Sequence, residues 1–354
     1  MSNQESMFAD QEPRQRVNID PRERSSEQAA QEGYRPYDES PQWGDGKIHP
    51  QQRPRRRGGL LAIIIVCAVV LLGGIFGYSA YSYSTAPTTV SPHTFNMSTA
   101  NPTLVMNVGG GDVQVHTGTG NSIIVKETRH SAGFASSNDK VDYSQSGNTV
   151  TVQDEGNFNF FGFNSQSFDV TLPATADLQL QTGSGSVDVA GVNGQVNVQT
   201  GSGDITADNM SGQQATLKTG SGDVNLNNVT IQQEVLGTGS GSIDARGLSG
   251  QVTLETGSGS TTIEQGALKG DSVLKAGSGD ITYNGSLDAS GNYRFETGSG
   301  DVDLTLPGSS AFNLDAHTGS GSVNNDFGSD QVGGNPRAPL SITTGSGSVD
   351  IHKG

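Results

Sequence analysis

The sequence predicts an all-β fold, a parallel β-solenoid, and three observations carry that expectation. The tetrapeptide Thr-Gly-Ser-Gly starts at Thr182, Thr200, Thr219, Thr238, Thr256, Thr297, Thr318 and Thr344, and Ala276-Gly277-Ser278-Gly279 fills the one gap. Its steps run from 18 to 21 residues until a last one of 26. A fixed period near twenty marks a short unit stacked on copies of itself. Apolar and polar residues alternate on both sides of the tetrapeptide, as in half-buried strands.

Each position of the repeat has its own task. Two residues before the Thr stand Leu180, Val198, Leu217, Leu236, Leu254, Leu274, Phe295, Ala316 and Ile342. Four before it the residues are mostly apolar, with Glu234 and Ser272 as exceptions. Five after it come Val187, Ile205, Val224, Ile243, Thr261, Ile281, Val302, Val323 and Val349. These posts define two strands that meet at a glycine corner, where positive φ is allowed and no Cβ can clash. A third post, Val192, Met210, Val229, Leu248, Leu268 and Leu287, predicts a three-cornered coil around a narrow core. Nine regular coils over residues 179–354, stacked about 4.8 Å apart, would make a rod on the order of 40 Å long.

Residues 94–178 alternate in shorter runs and are expected to form an irregular N-terminal part that caps the open solenoid end. His116-Thr117-Gly118-Thr119-Gly120 reads there as a decayed corner. Residues 81–93 read as a linker. Residues 58–80 hold no charge, a length sufficient for a transmembrane helix, and Arg53, Arg55, Arg56 and Arg57 precede them. The positive-inside tendency then places the N-terminus in the cytoplasm and the C-terminal domain outside the cell membrane. Residues 1–57 carry 10 Lys+Arg and 10 Asp+Glu with few apolar side chains, the composition of a disordered tail. The single cysteine, Cys67, falls within the membrane span, so the ectodomain's stability must come from its stacked core.

The whole net charge of −16 falls on residues 85–354. Such a balance argues against nucleic acid as a partner and permits cationic peptides or other cell-envelope components. Between the inward posts, Asp188, Thr206, Asn225, Asp244, Thr262, Thr282, Asp303, Asn324 and Asp350 predict an outward polar ladder. The six histidines form no metal-spaced pair, and no metal or cofactor site is expected. Asp204, Asp223, Asp280 and Asp301 follow the corner directly, but Ser takes the same slot elsewhere, which reads as corner chemistry. A carbohydrate-active parallel β-helix enzyme is the alternative reading; it would need clustered carboxylates beside a base. Here the bases Lys218, Arg246, Lys269, Lys275 and Arg294 are dispersed. Phe158, Phe160, Phe161, Phe163 and Phe168 form an aromatic-rich segment, either a cap folded on the solenoid end or an interaction patch.

The run of Thr-Gly-Ser-Gly corners, each followed by Ser or Asp and then Val or Ile, resembles a bacterial adhesin-type domain family of uncharacterised function. The resemblance covers roughly residues 95–354. It implies a β-solenoid at a bacterial envelope, with relatives associated with envelope stress, and it brings no catalytic residues. The expectation is therefore a non-enzymatic, membrane-anchored surface scaffold. The inward and outward assignments can be separated by mutation. Leu217→Asp is expected to unfold the middle of the stack at a cost of several kcal/mol. Asn225→Asp should move stability by less than about 0.5 kcal/mol. Urea melts that gave the two variants equal losses would refute the assignment.

Overall fold

The computed structural model describes residues 69–70, 88–133, 140–154 and 162–354. The tail expected over 1–57 lies outside the described residues. So does the expected membrane span over 58–80, apart from Val69 and Val70, which are helical. Among the described residues no helix is long and apolar enough to cross a membrane.

Among the described residues twenty-four strands follow in chain order. The N-terminal part holds β1 (Thr88–Asn96), β2 (Thr103–Val108), β3 (Asp112–Gly118), β4 (Ser122–Gly133), β5 (Val141–Ser146), β6 (Thr149–Asp154) and β7 (Gly162–Pro173). The regular part holds β8 (Asp177–Ser184), β9 (Val187–Ala190), β10 (Val196–Ser202), β11 (Ile205–Asp208), β12 (Ser211–Ser221), β13 (Val224–Thr238), β14 (Ile243–Ser258), β15 (Thr261–Leu268), β16 (Asp271–Ser278) and β17 (Ile281–Leu287). The chain closes with β18 (Asn292–Ser299), β19 (Val302–Leu306), β20 (Phe312–Thr318), β21 (Val323–Asn325), β22 (Gln331–Val332), β23 (Ala338–Ser346) and β24 (Val349–Lys353). Of the linker expected over 81–93, the described part from Thr88 onward is strand instead, because β1 pairs there with β4.

The strands before each corner form one parallel side, in the order β6–β2–β8–β10–β12–β13–β14–β16–β18–β23–β20. The strands after it form a second, β7–β3–β9–β11–β13–β14–β15–β17–β19–β24–β21. A third side runs through the pairs Ser211 with Thr230, Thr230 with Ser249, Ser249 with Ala267 and Leu268 with Leu287. The fold is the expected all-β solenoid. Its third posts Val192, Met210, Val229, Leu248 and Leu268 are buried with the other two inward columns.

The corner explains the tetrapeptide. The Thr side chain is buried and its hydroxyl donates across to the coil below: Thr219 to Gly203 O at 2.8 Å, Thr238 to Gly222 O at 2.8 Å, Thr256 to Gly241 O at 3.0 Å and Thr297 to Gly279 O at 2.8 Å. The second glycine must be a glycine. Gly203 has φ +155°, and a Cβ on it would sit 2.1 Å from Gly185 O. Serine or aspartate after the corner also has a bond to make. Asp204 Oδ1 accepts the Asp223 N–H at 2.9 Å and Asp223 Oδ1 accepts the Ser242 N–H at 2.8 Å.

The second corner of the three-cornered coil is made by a column of positive-φ residues. Nine residues after the Thr, Gly191, Asn209, Asn228, Gly247 and Gln265 all take positive φ between 52° and 76°. Asparagine tolerates this left-handed region better than most residues. Asn228 Nδ2 also donates to Asn209 Oδ1 at 2.8 Å, one coil down.

The rungs do not stack in chain order. At the N-terminal end β2 and β3 lie between β8 and β9 on one side and β6 and β7 on the other. At the C-terminal end β23 and β24, last in the chain, insert between β18 and β19 and the earlier β20 and β21. The decayed corner is also relocated. Val108 aligns with Thr182, and Gly109 and Gly111 O lie under Gly183 and Gly185, so the corner is Val108-Gly109-Gly110-Gly111. Residues 116–118 instead continue β3 against β7.

Ala276 interrupts the hydroxyl ladder, aligned between Thr256 and Thr297. Ala276→Thr is expected to restore a bond to Gly259 O and stabilise the fold by about 1 kcal/mol. Thr238→Val keeps the shape but strands Gly222 O, at a cost of about 1–2 kcal/mol. Shifts of the same sign for both variants in urea unfolding would refute the ladder.

Candidate functional site

The aromatic segment divides on inspection. Phe158, Phe160 and Phe161 lie outside the described residues, and Phe163 is placed by its backbone on β7, opposite Ala132. Phe168 is only 1% exposed. It pairs with Val113 of β3 and Glu127 of β4, because β7 runs between those two strands. Phe168 is core, so it must be removed from any interaction patch.

Beside it the N-terminal cap holds a polar cluster that the sequence did not reveal. The buried Glu127 carboxylate accepts from Tyr143 OH at 2.8 Å, from Gln166 Nε2 at 2.8 Å and from Arg129 Nε. His93 of β1 stacks on the Tyr143 ring, 3.8 Å between centroids. The partners come from β1, β4, β5 and β7, so the network ties every capping strand to the outer rung. Burial, and then the bond to Glu127, push the Tyr143 phenol well above its ordinary range, so it remains a neutral donor. The arrangement locks the cap; it does not make a phenolate nucleophile.

The two long sides differ in charge. On the first, Lys275 Nζ meets Glu296 Oε2 at 2.8 Å and Arg294 meets Glu296 Oε1 at 3.1 Å. The hydrogen bond from Lys275, and then that from Arg294, hold the Glu296 carboxyl below its ordinary range. Lys275 and Arg294 are thus committed to ion pairs. The second side carries the outward ladder in register, Asp188, Thr206, Asn225, Asp244, Thr262, Thr282, Asp303, Asp350 and Asn324. Toward its C-terminal end Asp280, Asp301, Asp303 and Asp350 converge. Burial first, and then Asp350 and Asp301, raise the Asp303 carboxyl. An open groove of about 340 Å³ runs along this side between Thr206, Asp208, Asn227, Asp244 and Glu264, with Arg246 4.0 Å from Glu264. Among the described residues no group of three or more His, Cys, Asp or Glu is placed to hold a metal ion.

With the stacked corners and the relocated first one in view, the comparison with known families is decisive. A family model matches residues 102–352. The chain belongs to the Toastrack DUF4097 family. The match takes in the swapped rungs at both ends and most of the capping strands, so the expected resemblance held at the level of family. No curated protein matches this Toastrack chain. Among solved structures it is similar to a candidate cell adhesion protein from Clostridium sporogenes ATCC 15579, at 13% identity over 76% of this chain and 100% of that one, TM-score 0.26. It is similar to a candidate adhesin from Bacteroides fragilis NCTC 9343, at 12% identity over 74% and 97%, TM-score 0.38. Another candidate adhesin, from Parabacteroides distasonis ATCC 8503, is 9% identical over 74% and 97%, TM-score 0.40.

Among the described residues a carboxyl group without a hydrogen-bond partner is sealed inside the Toastrack core. Glu234 fills an inward post between Ala215 and Val252, is 2% exposed, and neither carboxyl oxygen has a hydrogen-bond partner. Desolvation pushes its pKa up to about 8. Ser272, in the same column, shows the satisfied alternative: its Oγ accepts the Val252 N–H at 3.0 Å and donates to Lys269 O at 3.0 Å. Glu234 ionises near its ordinary value when unfolded but stays protonated when folded until about pH 8. The Glu234 contribution to stability is therefore greatest in acid, falls as pH rises between those two values, and levels off above them. Glu234→Met is expected to stabilise the protein by about 3–5 kcal/mol at about pH 8.5 and far less at about pH 5. A gain equal at both pH values would contradict the neutral buried carboxyl.

Proposed function

We propose that this Toastrack protein is a non-enzymatic surface scaffold. Residues 58–80 anchor it once in the cell membrane with the N-terminus cytoplasmic, and the solenoid stands outside as an adhesion or envelope-stress interaction module. The observation that carries the reading is the acidic side, where Asp188, Asp244, Asp303 and Asp350 fall in one column on a closely stacked backbone. There Asp350 and Asp301 crowd Asp303, whose carboxyl is raised first by burial and then by those two neighbours. Such a face attracts cationic peptides or other cationic envelope components over about 8 Å at physiological ionic strength. The names of the solved adhesins accord with a surface role.

Spheroplasts carrying an N-terminally tagged chain test the topology. External protease should remove the C-terminal domain and spare the tag; a membrane-free form beginning near residue 85 would overturn the anchor. A cationic peptide should bind the purified protein at low salt, lose affinity at high salt, and bind more weakly when Asp301, Asp303 and Asp350 are changed to Asn. Binding that ignores both salt and these substitutions would exclude the acidic side as the ligand face.

A further inference from the structure

The two ends of the solenoid are finished differently. At the N-terminal end the outer rung is covered, with β5 on β6, β4 on β7 and β1 on β4. Val150, Val152, Phe168 and Val170 of that rung are buried. At the C-terminal end the outer rung is β20 and β21. The outer edge of β20 meets β22 only at Phe312 and Asn313, and Leu314 N donates to Asp330 O at 2.8 Å. From Asp315 onward no strand among the described residues lies on that edge. Val323 is 41% exposed, although the other members of its inward column are buried, and Leu314 and Ala316 are only half-buried.

We propose that this edge is a self-association surface, and that its occupant is the same edge of a second copy related by a two-fold axis. A two-fold perpendicular to the stack sets β20 antiparallel to its mate. Leu314 directs its N–H outward, and strand alternation makes Ala316 direct its N–H and C=O the same way. Ala316 can therefore sit on the axis and exchange both bonds with its counterpart. Pairing about Ala316 sets Asp315 opposite the second copy's His317, and His317 opposite its Asp315. Those flanking positions are the closely spaced, non-hydrogen-bonded type, in which side chains meet most directly. Asp315 and His317 already face the same way within one chain, Oδ1 to Nε2 at 2.9 Å. An isologous interface demands such self-complementarity, and this edge has it. No lysine or proline guards β20 against pairing. The association goes beyond the scaffold reading. Only its consequence rests on that reading: two anchored copies joined tip to tip would point their N-terminal caps in opposite directions, as in contact between facing surfaces.

The test uses the full chain in detergent with Cys67→Ala. The wild-type sequence is expected to sediment as a reversible dimer in the micromolar range. His317→Asp places carboxylates opposite one another and should raise the dissociation constant about tenfold or more. The exchange D315H/H317D should restore it, a rescue that general damage to the fold would not give. Mixed chains carrying Asp315→Cys and His317→Cys should form a disulfide on oxidation more readily than either chain alone. A wild-type monomer, a dimer indifferent to His317→Asp, or equal cross-linking in all three mixtures would overturn the proposal. A cytoplasmic location of the domain would end the anchored reading and leave this result untouched.

Discussion

The structure depends on how closely the backbone stacks at the glycine corner. A Cβ on Gly185, Gly203, Gly222, Gly241 or Gly259 would lie 2.0–2.2 Å from the carbonyl oxygen of the glycine below. No side chain fits in that gap, so the coils come close enough for the Thr hydroxyl to reach the same carbonyl. One contact thus fixes both the spacing and the register of successive coils. With register fixed, the inward columns fall in line, and a slip by one residue would turn every inward side chain to the outside.

That rigidity sets what the surface can do. Outward residues are held in columns at strand spacing, so charge on this molecule is a matter of which column a residue joins. The side after the corner collects carboxylates, while on the other side Lys275 and Arg294 are matched by Glu296. Polar residues that stray inward fare differently according to reach. Ser272 is short enough to bond the backbone beside it, whereas Glu234 extends past any partner and is held in its neutral form. Alanine at position 215, directly below it, leaves the volume that such a side chain needs.

Much of the regular solenoid was legible because every coil repeats the same local demands. The glycine corner and its flanking apolar posts are short-range signals repeated nine times, and the third post is repeated six times. The positive-φ corner at Asn209 and Asn228 lies just before the third apolar post, which marks a corner in the sequence without showing which residues turn the chain. The cap was not legible, since Glu127, Tyr143 and Gln166 meet only after β4, β5 and β7 have paired. Phe168 does carry a local signal, since it opens the alternating run Phe168, Val170 and Leu172, all buried, and β7 lies between β3 and β4. The rung exchange was hidden because each coil is locally alike, and only the longer final step of 26 residues gave room for the chain to double back.

That exchange has a consequence for how such a molecule can grow. Both chain ends of the regular stack, β2 with β3 and β23 with β24, are held beneath a rung that lies elsewhere in the sequence. A repeat appended after Gly354 would have no free edge of its own to extend, because β20 and β21 already occupy the next level. A repeat placed before β2 would meet β6 and β7 in the same way. Length is therefore adjustable only in the middle, by whole units copied or lost between Thr182 and Thr297, while the two terminal assemblies pass unchanged from a short version to a long one. The fold behaves like a clasped book, whose pages can be added only between covers that are already bound.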